Sequence, residues 1–368
     1  MTAEEAPIPN LNVGEVIQSS NGNFEVDKKL GVGSFGAVYR VKDPATGSLY
    51  AMKLESTADK HQVLKMEVCV LKAVEQNGGR HFCRIAARGK TNEFNFVVMT
   101  LVGPSLSELR HKYGHAAPHR RFHGATALRV AQQTLEALED MHTVGYIHRD
   151  VKPANYAIGR PEVNELDKIY ILDFGLCRMY RKEDGAIRLP RKVAKFRGTV
   201  RYAPLNCHKE QDLSRKDDIE TWLYMVIEVT AGSLPWATQT SKHEVGLAKV
   251  QARTEEGRKN LLYNCPPEYS DMLDYIDKVH YWEEPDYKFI YKLLHRAMAK
   301  HKPPIQETDL YDWMAPTEEV TIPSRVVVPT KSPNISGESK AVQNPSQMPQ
   351  TYNNYPVQGK SIKEEYMQ

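Results

Sequence analysis

The sequence is poor in cysteine and has none in a paired arrangement. Its 368 residues include five cysteines, and none of them forms a Cys-x-x-Cys pair or a zinc-finger spacing with histidines. Scattered thiols are typical of a reducing compartment, whereas small secreted domains are dense in disulfides. We therefore expect a cytosolic or nuclear protein in which the cysteines are reduced, mostly structural and free of metal: Cys69, Cys83, Cys177, Cys207 and Cys265.

Three further absences narrow the function classes. The formal net charge is only +3, so the whole chain lacks the basic signature of a nucleic-acid-binding protein. No apolar run approaches the length of a membrane span, and the first residues lack the basic and apolar regions of a signal peptide. These absences predict a soluble, unsecreted protein with neither a nucleic-acid nor a membrane partner.

One dense stretch of functional residues stands out, His148–Asn155, with an Asp-Phe-Gly triplet that begins at Asp173. It offers an acid able to orient a hydroxyl (Asp150), a lysine two residues later (Lys152) and an amide (Asn155). Phosphoryl transfer depends on positioning and charge neutralisation more than on covalent help, and these side chains provide both. The ordered pair of motifs therefore predicts a phosphotransferase.

A glycine-rich loop lies upstream, within a series of short β-like runs at residues 24–30, 37–41 and 49–54. Its pattern, Gly-x-Gly-x-x-Gly over Gly31–Gly36, also occurs in dinucleotide-binding folds. Those folds need a helix directly after the loop, whereas a strand is expected here. The context favours a flap whose glycines let the backbone approach phosphates, and a plain hairpin turn is the alternative.

A lysine and a glutamate follow the flap in an order that suits nucleotide binding. Lys53 lies in the third β-like run, where a lysine most often faces solvent, but after such a flap it is expected to bind the α- and β-phosphates. Helical periodicity runs over residues 60–76 and contains Glu67. Glu67 is a candidate partner that holds Lys53 forward, and a solvated glutamate is the alternative.

The apolar run Phe94–Leu101 predicts a buried strand that leads into a connector. We expect the adenine to lie there, against Met99 and Ala51, with hydrogen bonds from the backbone of Thr100 and Val102. The plainer interpretation, a core strand that enters a loop, is compatible with this one.

The rest of the chain is predicted to be helical up to about residue 313, between two flexible ends. Residues 1–20 are polar and broken by prolines, which predicts a flexible leader. From residue 316 to residue 368, prolines recur among Ser, Asn, Gln and Thr. The low apolar content of this segment predicts a disordered tail. Helical patterns are read at residues 126–141, from 215 onward in a strongly apolar segment, and at 242–251, 268–279 and 286–298.

The combined motifs resemble the eukaryotic protein kinases over roughly residues 22–313. More narrowly, the sequence is similar to the casein kinase I superfamily and, within it, to the tau-tubulin kinases. The resemblance implies an α+β, bilobal protein kinase domain over residues 21–315 that uses ATP and Mg²⁺. A small antiparallel β lobe with one helix (21–102) would precede a larger, mainly α-helical lobe (103–315). The narrower similarity rests on Val63–Val68, Phe196–Ala203, Arg215–Asp218 and Leu234–Trp236.

The resemblance also implies a role for each motif residue. Asp150 is expected to accept or orient the substrate hydroxyl proton, and Lys152 to contact the γ-phosphate. Asn155 and Asp173 are expected to hold Mg²⁺, because amide and carboxylate oxygens are hard ligands. The catalytic set is expected to be Asp150, Lys152, Asn155, Asp173 and Thr199, with Asp218 bracing the same loop. The nucleotide-binding set is expected to be Gly31, Val32, Gly33, Ser34, Gly36, Val38, Ala51, Lys53, Glu67, Met99, Thr100 and Val102.

The loop after the Asp-Phe-Gly triplet is basic and nearly free of hydroxyls. Between residues 176 and 198 there is no serine or threonine, and Tyr180 carries the only side-chain hydroxyl. This predicts an enzyme that does not need phosphorylation of the loop. Arg191, Lys192 and Arg197 are predicted to bind an anion, either a phosphate already on the substrate or an acidic run. A solvated loop with screened charges is the alternative.

Other features bear on substrates and on rival functions. Lys152 follows the pattern of serine/threonine kinases, and Ala203–Asn206 replaces the usual Ala-Pro-Glu, so the common glutamate–arginine brace is absent. The resemblance implies protein substrates, with tubulin or a microtubule-associated protein as cytoskeletal examples, and a monomeric enzyme. The rivals are a pseudokinase scaffold, which should lack catalytic residues that are present here, and an interaction module that works through its tail.

Overall fold

The computed structural model describes residues 10–33, 36–58, 63–115 and 120–314. The predicted disordered tail and the first nine residues lie outside the described residues. No helix among those described is both long and apolar enough to cross a membrane.

The first part of the chain forms an antiparallel six-stranded sheet with the order β1-β2-β3-β4-β6-β5. Alternate residues of its central strands, among them Ala37, Tyr39 and Val41, are fully or almost fully buried, as expected for a sheet with one face on a core. The strands are β1 (Val16–Ser19), β2 (Gly22–Gly33), β3 (Gly36–Lys42), β4 (Leu49–Ser56), β5 (Ile85–Lys90) and β6 (Phe94–Thr100).

The prediction of a flexible leader up to residue 20 is wrong for its second half. Strand β1 pairs with β2 in register Val16 to Glu25, and the Ile17 side chain is 6% exposed. Leu11 is also buried, and its backbone N–H donates to the Tyr39 hydroxyl. A few apolar side chains and a neighbouring strand edge are therefore enough to order residues 10–20.

The helices and the remaining short strands form a second, larger and mainly helical region. Helix α5 is buried along nearly its whole length, and its Trp222 is fully buried. The helices are α1 (Val63–Gln76), α2 (Leu106–Tyr113), α3 (Gly124–Thr143), α4 (Leu205–His208), α5 (Arg215–Ala231), α6 (Lys242–Gln251), α7 (Glu255–Leu261), α8 (Glu268–Ile276) and α9 (Tyr287–Lys300). Four short strands pair two by two: β7 (Tyr146–Ile147), β8 (Tyr156–Ile158), β9 (Ile169–Ile171) and β10 (Arg178–Met179).

The predicted fold class, a small β lobe with one helix before a larger helical lobe, is confirmed. Nine of the described elements were not predicted: β1, β5, β7, β8, β9, β10, α2, α4 and α7. For α2 a signal was present, because Ser105 and Glu108 form a reciprocal capping box at its start. Strand β5, with the sequence Ile-Ala-Ala-Arg-Gly-Lys, has too few large apolar residues for its alternation to be visible.

Candidate active site

The centre of the site is the carboxylate of Asp150, which is 7% exposed. Its Oδ1 accepts from the Thr199 backbone N–H at 2.9 Å and from the Thr199 hydroxyl at 2.8 Å. Its Oδ2 accepts from Lys152 Nζ at 2.6 Å and from Asn155 Nδ2 at 3.3 Å. Four donors therefore hold one carboxylate in a fixed orientation, with a lysine charge beside it.

The loop that carries Asp150 is held from below by the buried carboxylate of Asp218. Asp218 accepts from the backbone N–H of His148 at 2.6 Å and of Arg149 at 2.8 Å, and it contacts His142 Nε2 at 2.9 Å. Burial alone would raise the pKa of Asp218, but these bonds outweigh it and lower the pKa. Arg149 has φ +68°, a strained conformation for an arginine, so the bracing has to offset a local cost.

A second strained residue, Asp173, is tied to the same loop. Its φ is +62°, and its Oδ1 lies 3.4 Å from Lys53 Nζ. The preceding residue, Leu172, donates its N–H to the Asn155 carbonyl at 2.8 Å and accepts from His148 Nε2 at 3.1 Å. These two bonds bring the carboxylate of Asp173 and the catalytic loop into one cleft.

Lys53 joins the sheet to helix α1 through Glu67. Its ammonium lies 2.5 Å from the Glu67 carboxylate, which is almost completely buried. Burial would lower the pKa of Lys53, but the charges of Glu67 and Asp173 outweigh it and raise the pKa above its ordinary value. The lysine is therefore a permanent cation, and the predicted partnership with Glu67 is present.

The flap is the hairpin between β2 and β3, in which Gly31 pairs with Val38 and Gly33 with Gly36. Val38 in turn lies opposite Lys53 in the sheet, so the flap ends beside the lysine. A Cβ on Gly36 would lie 1.7 Å from the Leu54 carbonyl oxygen, which makes glycine necessary there.

The other predicted flap residues are placed differently. A Cβ on Gly31 or on Gly33 would meet nothing within 4 Å, so neither glycine is needed for packing in the protein itself. Val32 is 58% exposed. Ser34 lies outside the described residues. The open space around Gly31 and Gly33 suits a backbone that another molecule approaches closely.

The connector between the two lobes starts where β6 ends. Met99 lies opposite Ala51 in the sheet, and Thr100 donates its N–H to the Arg84 carbonyl at 3.0 Å. The Gly103 N–H donates to the Ile158 carbonyl at 2.7 Å, which anchors the chain on either side of the half-buried Val102. The predicted adenine-binding residues therefore share one end of the cleft.

Two candidate oxygen ligands for a cation lie in the cleft. The Asn155 amide nitrogen already donates to the Asp150 carbonyl at 2.8 Å and to its carboxylate, so the amide oxygen is the atom left for a metal. The Asp173 carboxylate is about half exposed. Amide and carboxylate oxygens are the ligands that Mg²⁺ prefers, so this donor set fits a magnesium ion better than a softer metal.

Comparisons with known proteins agree with this geometry. Residues 24–304 match the family of the protein kinase domain. The chain belongs to the protein kinase family. It is 37% identical to the serine/threonine-protein kinase spe-6 of Caenorhabditis elegans over 300 aligned residues. The aligned region covers 80% of this chain and 76% of that protein. It is also 35% identical to a probable serine/threonine-protein kinase of Dictyostelium discoideum over 297 aligned residues, which make up 80% of this chain and 57% of that protein.

These relatives place the kinase in the serine/threonine class. The family as a whole transfers phosphate from ATP with the help of Mg²⁺, so the predictions of an enzyme and of its general class are confirmed. The sequence motifs that predicted a phosphotransferase are the same ones that converge in the cleft.

The kinase anchors the end of its activation segment without the missing glutamate–arginine brace. Lys249 of α6 is fully buried, and its Nζ donates to the carbonyls of Val200 at 2.9 Å and Ala203 at 2.5 Å. A third acceptor, His208 Nε2, lies at 3.1 Å. Burial lowers the pKa of Lys249 to about 7 in spite of the opposing charge of Glu220, and the three acceptors match the three N–H groups of an ammonium ion.

Two bracing residues were not predicted from the sequence. A Cβ on Gly198 would lie 2.6 Å from the Arg149 carbonyl, and its φ of +93° also requires glycine, so this residue lets Thr199 reach Asp150. A signal existed in the Phe-Arg-Gly-Thr run. Lys249 had no such signal, because it lies 49 residues from Val200 in sequence.

Proposed function

We propose that the kinase phosphorylates serine and threonine in proteins that are acidic or already phosphorylated near the acceptor, without first being phosphorylated on its own activation segment. The observation that supports the proposal is a cluster of basic residues around Asp212 whose positive charge exceeds the negative charge of its acidic partner. In its sequence motifs the chain resembles the casein kinase I superfamily and, more closely, the tau-tubulin kinases.

The catalytic roles follow from the contacts around Asp150. Its fixed carboxylate would orient the substrate hydroxyl and accept its proton, since an acid in hydrogen-bond reach of the acceptor is what the reaction needs. Lys152 lies 3.1 Å from the Thr199 hydroxyl and would face the transferred phosphoryl group. Thr199 would act as a positioning residue, since both of its donors hold Asp150.

The nucleotide-binding roles follow from the two ends of the cleft. Lys53, held by Glu67, would bind the α- and β-phosphates beneath the flap. The Thr100 N–H already donates to the Arg84 carbonyl. The groups that would form hydrogen bonds with adenine are therefore the Thr100 carbonyl and the Val102 backbone. Asn155 and Asp173 would hold Mg²⁺, which neutralises phosphate charge when bound.

The basic cluster is built around one buried acid, Asp212. Arg178 and Arg191 both pair with its carboxylate, at 2.5 Å and 2.8 Å. Burial opposes ionisation of Asp212, but the two arginines lower its pKa to about 2. Burial, together with the nearby charges of Arg197, Arg178 and Arg191, also lowers the pKa of Arg149 to about 10.

The positive charge of this cluster exceeds what Asp212 can compensate. Lys192 and Arg197 are exposed, and no ion pair joins either of them to an acid among the described residues. Arg191, in contrast, is already engaged by Asp212, so it is a poorer candidate for an anion than the sequence suggested. The unpaired cations are what an incoming phosphate or carboxylate run would meet.

The activation segment is held in place by groups other than a phosphate. Arg149 donates to the carbonyls of Leu176 at 2.6 Å and Cys177 at 3.3 Å. Tyr180 is 4% exposed, and its hydroxyl donates to the His142 carbonyl at 2.6 Å. The hydroxyl that the segment carries is therefore already used inside the protein, which supports activity without modification of the segment.

A matched peptide pair tests the substrate preference. With the charges of Lys192 and Arg197 reversed (Lys192→Glu/Arg197→Glu), KM for a phosphoserine-containing peptide should rise at least about tenfold, because two charge-assisted contacts turn repulsive. KM for the same peptide with alanine in place of phosphoserine should change by less than about threefold. Steady-state phosphorylation of both peptides is the measurement.

The control is Lys182→Glu, an exposed lysine of the same segment that lies outside the cluster around Asp212. It should leave the ratio of the two KM values as in the wild type. Equal losses on both peptides in the double variant would remove the proposed anion site while leaving the kinase assignment intact.

The narrower assignments rest on the resemblance and, for the location, on the scattered cysteines. We propose tubulin or a microtubule-associated protein as the kind of substrate, a cytosolic or nuclear location, and a monomeric enzyme whose domain covers residues 21–315.

A further inference from the structure

The carboxylate of Asp312 is buried against two imidazoles, in a part of the larger lobe that the catalytic machinery does not use. Its side chain is 5% exposed. Its Oδ1 lies 3.2 Å from His123 Nδ1, and its Oδ2 lies 3.7 Å from His115 Nε2. Among the described residues, these two histidines are the groups with which Asp312 forms ion pairs.

All three residues are held by further hydrogen bonds. His115 and Arg121 exchange two backbone hydrogen bonds, of 2.8 Å and 3.1 Å. His123 directly precedes α3, and its N–H donates to Asp312 Oδ2 at 2.9 Å. The Thr126 hydroxyl donates to Asp312 Oδ1 at 2.8 Å. A carboxylate oriented by its own hydrogen-bond donors is the arrangement that metal ligands commonly have.

The spacing suits a small transition-metal ion. One ligand atom from each of the three residues lies within 4.8 Å of the other two. Two ligands of a tetrahedral zinc ion, at bond lengths of about 2.0–2.1 Å, lie about 3.3 Å apart. The distances of 3.2 Å and 3.7 Å from the Asp312 oxygens to the imidazole nitrogens lie on either side of that value.

We propose that His115, His123 and Asp312 bind one divalent transition-metal ion, with zinc as the best match and water completing the coordination. Two imidazole nitrogens favour zinc over the magnesium that the catalytic cleft suits. A cavity of about 530 Å³ borders both histidines and gives water and the ion a route to the site. The metal would act as a clip between residues that lie 189 positions apart in the sequence.

A simpler explanation of the cluster, without a metal, is that Asp312 only caps the start of α3. Asp312 already accepts the His123 N–H, which satisfies one of the free donors at the start of α3. Capping of α3 needs neither imidazole. It therefore does not explain why the rings of His115 and His123, with centroids 3.6 Å apart, both lie beside the Asp312 carboxylate. The experiment therefore changes the imidazoles and leaves Asp312 in place.

The test uses the full-length, tag-free protein, stripped of metal and kept in millimolar Mg²⁺ so that the catalytic cleft is occupied. One equivalent of zinc should be retained per chain after gel filtration. Free zinc at about a hundredfold its Kd should raise Tm by about 5 °C. His115→Gln and His123→Gln should each lose the bound zinc and the Tm shift, whereas His280→Gln, an exposed histidine elsewhere, should behave as the wild type.

The zinc-free Tm of each variant is measured alongside, so that a folding defect is separated from a loss of binding. Zinc stoichiometry and a Tm shift that are the same in wild type, His115→Gln and His123→Gln would overturn the proposal. So would a wild type that retains no zinc. Neither readout depends on kinase activity.

Discussion

Replacing Asp150 with asparagine is expected to lower kcat by about 10²–10⁴-fold, the range that a positioned general base contributes. The substitution removes the charge that would accept the substrate proton. It also puts an amide nitrogen where a carboxylate oxygen now accepts from Thr199 or from Lys152 and Asn155. Steady-state phosphorylation of a serine peptide measures the loss, and KM for ATP should change only a few-fold, because Asp150 lies outside the nucleotide-binding set.

Thr199→Val is the matched control for the positioning part of this effect. It removes the hydroxyl donor to Asp150 but keeps the charge and the backbone N–H donor. Its kcat should therefore lie between those of the wild type and Asp150→Asn. A fall in kcat of less than tenfold for Asp150→Asn, in a protein with an unchanged Tm, would contradict the assigned role.

Lys53→Met is expected to lower kcat/KM for ATP by about 10²–10³-fold, a loss comparable to removing one preorganised donor from a developing charge. The variant also leaves the buried carboxylate of Glu67 without its ammonium partner at 2.5 Å. We expect this to cost about 1–3 kcal/mol of unfolding free energy, because an unpaired buried charge is destabilising. Nucleotide binding, unfolding by denaturant and peptide phosphorylation are the three measurements.

The double variant Lys53→Met/Glu67→Gln separates stability from function. Removing the orphaned charge should restore most of the unfolding free energy lost in Lys53→Met, while activity stays low, because the cation beneath the flap is still missing. If the double variant recovered ATP binding together with stability, Lys53 would be a structural residue and not a phosphate ligand.

The convergence of the candidate catalytic residues was predictable because their motif is local in the sequence. Asp150, Lys152 and Asn155 lie within six positions of one another, and the strand after the flap places Lys53 beside Val38. Even the long-range pair of Lys53 and Glu67 was expected, since both belong to recognisable elements. Local motifs therefore carried the fold class and most of the cleft.

What the sequence did not reveal depends on distant packing. Lys249 looks like an ordinary helical lysine until α6 brings it to the carbonyls of Val200 and Ala203. His115 and Asp312 belong to segments with no shared pattern, and only the folded chain brings them together. Residues 10–20 read as a flexible end because a short strand on a sheet edge needs few apolar side chains of its own.

The loop charges illustrate a third limit. The sequence showed an excess of basic residues after the Asp-Phe-Gly triplet but not how they are paired. In the structure Arg178 and Arg191 pair with Asp212, whereas Lys192 and Arg197 are among the exposed cations of the loop. Some of the basic residues that follow one another in the sequence therefore stabilise the loop, and others are accessible to a ligand.

The most direct test of the kinase assignment is phosphosite mapping on a peptide library, with wild type and Asp150→Asn side by side and with ATP and Mg²⁺ supplied. We predict phosphate on serine and threonine but not on tyrosine, enriched near acidic or phosphorylated residues, and reduced at least a hundredfold by the variant. Transfer to tyrosine, or wild-type labelling no greater than that of Asp150→Asn, would contradict a serine/threonine kinase that works through the cleft around Asp150.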